Sequence, residues 1–157
     1  MQVIPFFVLQ FLHIFFAAIL MGTTLYLEFV LLPVILKRPA DESKAFFEAM
    51  QKPLSVMMGV SSGITLLTGL LWGTLFGSIH SLSDLSTPYG LTYLTALAVI
   101  LTMMVKGPRI GPHLLKNAWQ GTKFAPNAAK IVRDAHRLPF AAVFILLTCM
   151  ILMRFGL

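Results

Sequence analysis

The first 27 residues contain no Asp, Glu, Lys or Arg. As a helix, the stretch from Phe6 to Leu32 would run about 40 Å, more than the roughly 30 Å of hydrocarbon in a bilayer. Inside lipid a chain must satisfy its own backbone polar groups, and helices or closed barrels are the structures that do so. Glu28 is the one charge in the stretch. An uncharged start and an apolar run too long for a leader's h-region predict a true membrane helix rather than a signal peptide.

Three more uncharged runs follow, Leu54 to Ser83, Leu85 to Val105 and Leu138 to Met153. Over the whole 157-residue chain 57% of residues are hydrophobic and 11% charged, against about 25% charged in an ordinary soluble domain. A soluble enzyme is thereby excluded. The runs predict an all-α polytopic membrane protein, an antiparallel four-helix transmembrane bundle forming one domain over residues 1–157. Its spans are expected at about 6–32, 54–80, 88–106 and 137–154, with cytoplasmic loops at 33–53 and 107–136. Pro126, Asn127 and Ala128 read as a helix start, from which the last helix would enter the membrane with a kink at Pro139.

Charge sets the orientation. Lys37, Arg38, Lys44 and Lys52 lie between the first two spans, and seven basic residues lie between Lys106 and Arg137, whereas the link between spans two and three carries only Asp84. The positive-inside rule then places both basic segments in the cytoplasm and both termini outside, with Arg154 a minor exception. Anionic lipid headgroups account for the net charge of +6, so a nucleic-acid partner is not expected. The chain has no phosphate-cradling loop, zinc-protease motif or nucleophile elbow, and its single Cys149 rules out a disulfide or an iron–sulfur cluster within one chain.

The faces of the spans suggest where chemistry sits. Gln10, His13, Ala17, Thr24 and Glu28 share one face of the first helix, which should point into the bundle. Ionisable groups at that depth usually meet protein, water or a cofactor. In span two, Gly69, Gly73 and Gly77 recur every four residues before His80, a pattern that fits either a helix-packing seam or a groove for a flat ligand. Counting rise along straight helices puts His13 and His80 in the same outer half, roughly 10 Å apart along the axis, with His113 and His136 toward the other side. His13 and His80 are therefore the expected metal-ligand pair, suited to haem b and electron transfer. His136, within Asp134-Ala-His136-Arg137, could instead meet a propionate or a phospholipid headgroup. Met57 with Met58, Met103 with Met104 and Met150 with Met153 offer soft sulfur for copper as an alternative, and Tyr26, Tyr89, Tyr93, Trp72 and Trp119 read as interface anchors near span ends or as ring neighbours for a cofactor.

The segment Phe11-Leu-His13-Ile-Phe-Phe-Ala-Ala-Ile-Leu-Met-Gly22, continuing to Leu31-Leu-Pro33, resembles the first helix of small bacterial membrane proteins of the copper-resistance D-like and HemJ-like group. That resemblance implies a four-span protein in a bacterial or archaeal plasma membrane. It also implies haem binding or porphyrinogen oxidation, with His13 matching the group's first-helix histidine and Lys106 the position to compare with its later lysine. The expected function is thus a b-type haem protein passing electrons, with a quinone or redox protein as partner and a homo-oligomer as a possible assembly. Copper or proton transport, with His13, Thr24, Glu28 and methionines along the path, and a porphyrinogen oxidase are the alternatives.

Overall fold

A computed structural model describes residues 3–157. Four helical spans, Ile4–Ile35, Ala40–Phe76, Pro88–Ala118 and Ala128–Arg154, are long and apolar enough to cross a membrane. They pack against one another as an all-α bundle, as the apolar runs predict. Span one comprises α1 (Val3–Tyr26), a π-helical turn (Leu27–Leu31) and α2 (Leu32–Ile35). Span two is α3 (Ala40–Leu71) followed by a second π-helical turn (Trp72–Phe76). After a 3-10 turn at Leu82–Ser86, spans three and four are α4 (Pro88–Ala118) and α5 (Ala128–Arg154). The closest pairings are α4 with α5 and α1 with α3.

The helices run well beyond the apolar stretches at the basic end of the bundle. Residues 40–53 and much of 107–136 are helical rather than loop, because they are amphipathic: Phe47 and Leu114 are buried while Lys44, Lys52 and Lys116 are exposed or half-buried. Asp41 and Glu42 in the first turn of α3 complement its dipole, and the Ser43 hydroxyl donates to the Ile35 carbonyl at 2.8 Å. The last helix starts at Ala128, where the Pro126-Asn127 signal places it. A short hairpin, β1 (Trp119–Gln120) with β2 (Lys123–Phe124), turns at Gly121, whose φ of 64° suits glycine. Trp119 packs on Phe47 and donates its Nε1–H to the Ala40 carbonyl at 2.9 Å, closing an apolar cap with Leu31, Ile35 and Val132.

Along the membrane the polarity is inverted. Phe11, Phe15, Leu67 and Leu71 are exposed, whereas Ser61, Ser62, Thr65 and Thr68 form a buried hydroxyl stripe on one face of α3. The glycine seam of span two is filled by side chains: Gly69 faces the His13 ring, Gly73 the Tyr93 ring and Gly77 the Tyr89 hydroxyl. A methyl group on Gly73 would lie 2.9 Å from Cζ of Tyr93, so this position takes nothing larger than hydrogen without displacing the ring.

Candidate functional site

The bundle holds two cavities, one around His13 and one around His136. His13 of α1 reaches across to α3, where its Nδ1 lies 2.9 Å from Thr68 Oγ1. The single hydroxyl hydrogen of Thr68 points to the Ile64 carbonyl at 2.6 Å, so the oxygen accepts from His13 Nδ1–H. In the neutral ring Nε2 then carries the free lone pair. The cavity encloses about 100 Å3, or about 720 Å3 with its open mouth. Trp72, Tyr89 and Tyr93 line it together with Thr65. Among the described residues, Thr65 Oγ1 and the Tyr93 hydroxyl are buried without a hydrogen-bond partner.

The second cavity encloses about 220 Å3, or about 1320 Å3 with its mouth. His136 of α5 is buried in its wall, and its Nδ1 lies 3.2 Å from Glu28 Oε2. Glu28 sits in the π-helical turn of span one, a type of irregularity often found at functional sites. The contact is an ion-pair distance off the line of a well-formed hydrogen bond, since Oε2 has no aligned donor. It nevertheless favours the proton on Nδ1. His136 Nε2 is buried with no partner. Thr24, Gln51 and Ser62 add polar groups to the wall, and Met50, Met58, Met103 and Met104 add thioethers. Gln51 reaches α4 because Gly111 makes room: a Cβ there would lie 2.9 Å from its Nε2.

Leu20, Met21, Ile100 and Leu146 border both cavities. The two cavities thus adjoin along apolar side chains.

The expected pair His13 and His80 is not brought together. The helix read as running to residue 80 ends in the π-helical turn at Phe76, and Gly77 leaves it in an extended conformation, with φ −92° and ψ −162°. His80 is exposed in the link, where its backbone N–H donates to Asp84 Oδ2 at 2.8 Å, and it lines neither cavity. The Ser81 N–H donates to the same oxygen at 2.7 Å, and these backbone donors, His80 first, hold the Asp84 carboxyl below its usual range. His113 is exposed beside Asn117, and Lys106 is exposed and lines neither cavity. Cys149 is buried outside both cavities, whereas Met150 and Met153 line the first. Tyr89 and Tyr93 line the His13 cavity.

Among the described residues no cluster of three or more His, Cys, Asp or Glu side chains is arranged to hold a metal ion. Any metal in these cavities would need a sulfur or cofactor-borne donor beside one histidine. The pairing of Glu28 with His136 and the hydrogen bond from His13 to Thr68 are the contacts that linear reading misses. Placing Glu28 and His136 at the same end of the bundle was the signal available for the first. Compared with known proteins, the chain matches no family model, no curated protein and no solved structure. Fold and site together define a small polytopic helical membrane protein.

Proposed function

We propose that the chain is a b-type haem protein that carries electrons within the membrane, and that His136 would hold the haem iron at the larger cavity. One observation carries this reading: His136 Nε2 is buried, unpartnered and in the wall of the larger cavity, while Glu28 engages Nδ1. A ligating histidine is commonly oriented by a carboxylate on its other nitrogen, which fixes the tautomer and strengthens the donor. The enclosed space, about 220 Å3, lies below the roughly 300–1,000 Å3 of common ligand pockets, so a macrocycle would enter edge-in only with the surrounding helices moved apart. Haem, when bound, supplies one-electron chemistry at the iron.

The remaining residues have assignable tasks. Glu28 orients the ring and would balance iron charge, and Met58 or Met103, which line the same cavity, would offer a thioether as a further donor. The surrounding apolar wall excludes water. The first-helix likeness to the HemJ-like group speaks for His13 and lends no support to His136, so this reading stands on the His136 cavity alone. A lipid-soluble carrier of the quinone class suits a site at this depth as the redox partner. Basic residues at the His136 end meet anionic headgroups, with that end in the cytoplasm and both termini outside.

A second reading rests on the thioethers. Met50, Met58, Met103 and Met104 line the same cavity as the free Nε2, a soft donor set suited to Cu(I).

Absorption spectra of the detergent-purified protein, air-oxidised and then dithionite-reduced, test the proposal, with metal analysis on the same samples. The expected result is a Soret band with reduced alpha and beta bands that survive His80→Ala and His13→Ala and collapse in His136→Ala. Collapse in His13→Ala alone would move the haem to the other cavity. A flat spectrum after expression with ample haem would remove the haem reading, and copper without haem would put the second reading first.

A further inference from the structure

The His13 cavity has its own unmet hydrogen-bonding capacity, contributed by three helices. His13 Nε2 on α1 is an acceptor, because Nδ1–H is committed to Thr68. Thr65 on α3 is 8% exposed, and its hydroxyl has neither a backbone nor a side-chain partner. The Tyr93 hydroxyl on α4 is buried in the same condition. Helical Thr residues commonly donate back to a carbonyl one turn earlier, as Thr24, Thr68 and Thr74 do here, so the free Thr65 hydroxyl is exceptional.

The lining restricts what can meet these groups. Trp72, Tyr89 and Tyr93 offer aromatic rings, and Met150 and Met153, both half-buried, extend an apolar lining. A ligand matched to this lining is largely apolar, presents oxygen to the unmet hydroxyls and carries a flat ring. A fatty acid would find no cation here, and a sterol brings a single hydroxyl on a broad ring system. An oxygen-bearing aromatic ring with an apolar tail meets every condition. Its oxygen accepts from Thr65 and Tyr93, and in the reduced form its O–H donates to His13 Nε2. The enclosed part, about 100 Å3, is smaller than the roughly 150 Å3 that takes benzene, so the oxygenated edge enters while the substituted edge stays in the mouth.

The geometry points to the His13 cavity as a binding site for the headgroup of a lipid-soluble quinone or its hydroquinone. This rests on the electron-carrying reading for its purpose, but the binding itself depends only on the His13 cavity.

Decylubiquinone titrated into the full chain in phosphatidylcholine nanodiscs tests the site through quenching of Trp72, which lines it. Saturable quenching is expected, weakened at least tenfold in Tyr93→Phe and in Thr65→Val, restored in Thr65→Ser and unchanged in His80→Ala, which alters an exposed residue that lines neither cavity. Circular dichroism and a monodisperse elution profile establish that each variant is folded. Absence of saturable quenching, equal affinity in Tyr93→Phe and Thr65→Val, or loss confined to His136→Ala would overturn the site. A haem spectrum in the same discs keeps the two proposals separable: haem without quinone binding removes this site alone, and quinone binding without haem removes the other.

Discussion

Glu28 of span one and His136 of span four meet across the bundle with Oε2 and Nδ1 3.2 Å apart, and His136 Nε2 is left buried without a partner. The carboxylate is the less buried member, its side chain 23% exposed against 9% for the imidazole. The two atoms that matter, Glu28 Oε2 and His136 Nε2, are both buried without an aligned hydrogen-bond partner. Such a pair orients the ring through one nitrogen and leaves the other uncommitted.

Replacing Glu28 separates charge from shape. Glu28→Gln keeps the side-chain length and an acceptor oxygen but makes the imidazole a weaker donor, so the haem midpoint potential should become more positive. Spectroelectrochemical titration reads this directly, and an unchanged or more negative potential would place the iron elsewhere. Glu28→Ala should also lower stability by about 1–3 kcal/mol, because it strips the partner from a buried imidazole. Denaturant unfolding in bicelles measures that loss.

The glycines of span two divide by what they face. Gly73→Ala drives a methyl group into the Tyr93 ring and should cost about 1–3 kcal/mol through overpacking. Gly59 and Gly63 face open space, so Gly59→Ala should be neutral or stabilise the helix by up to about 1 kcal/mol. Unfolding midpoints of the two variants side by side decide the matter: equal effects would mean that Tyr93 does not rest on Gly73.

Asp84 gives the link between spans two and three an acid-sensitive lock. Its carboxylate accepts the His80 and Ser81 N–H groups within a capping box, and those bonds hold its pKa below the ordinary value of 3.8. A group with a depressed folded pKa contributes its stabilisation above the ordinary value and loses it as pH falls through the lower one. The Asp84 side-chain carboxyl carbon resonance should therefore titrate with its midpoint below pH 3.8. A midpoint at or above 3.8 would show that the Asp84 box does not form.

Orientation follows from charge and can be read chemically. In a Cys149→Ser background, a membrane-impermeant maleimide should label Ser83→Cys from outside intact cells, because residue 83 is exposed in the link between spans two and three. Lys116→Cys, exposed at the basic end, should react only after permeabilisation. The opposite pattern would invert the protein.

Much of the architecture was written in the local pattern. Uncharged runs mark lipid-facing helix because a charge at mid-bilayer is costly, and the shared face of His13, Thr24 and Glu28 marks the side turned inward. Hydropathy is blind to where helix continues outside lipid, which is why residues 40–53 read as loop although Phe47 anchors them in the cap. The pairing of His13 with His80 failed because it assumed a straight, uniform helix to residue 80, whereas the π-helical turn and Gly77 redirect the chain. The partnership of Glu28 with His136, and the choice of Thr68 by His13, depend on how distant helices dock, and no periodicity within one segment records that.

Leu20, Met21, Ile100 and Leu146, which line both cavities, bear on bioenergetics. Each proton slipping across the bilayer would dissipate about 2.3 kcal/mol per 100 mV of membrane potential. None of these four side chains carries a hydroxyl, an amide or an ionisable group, so where the two cavities adjoin they offer a proton no relay.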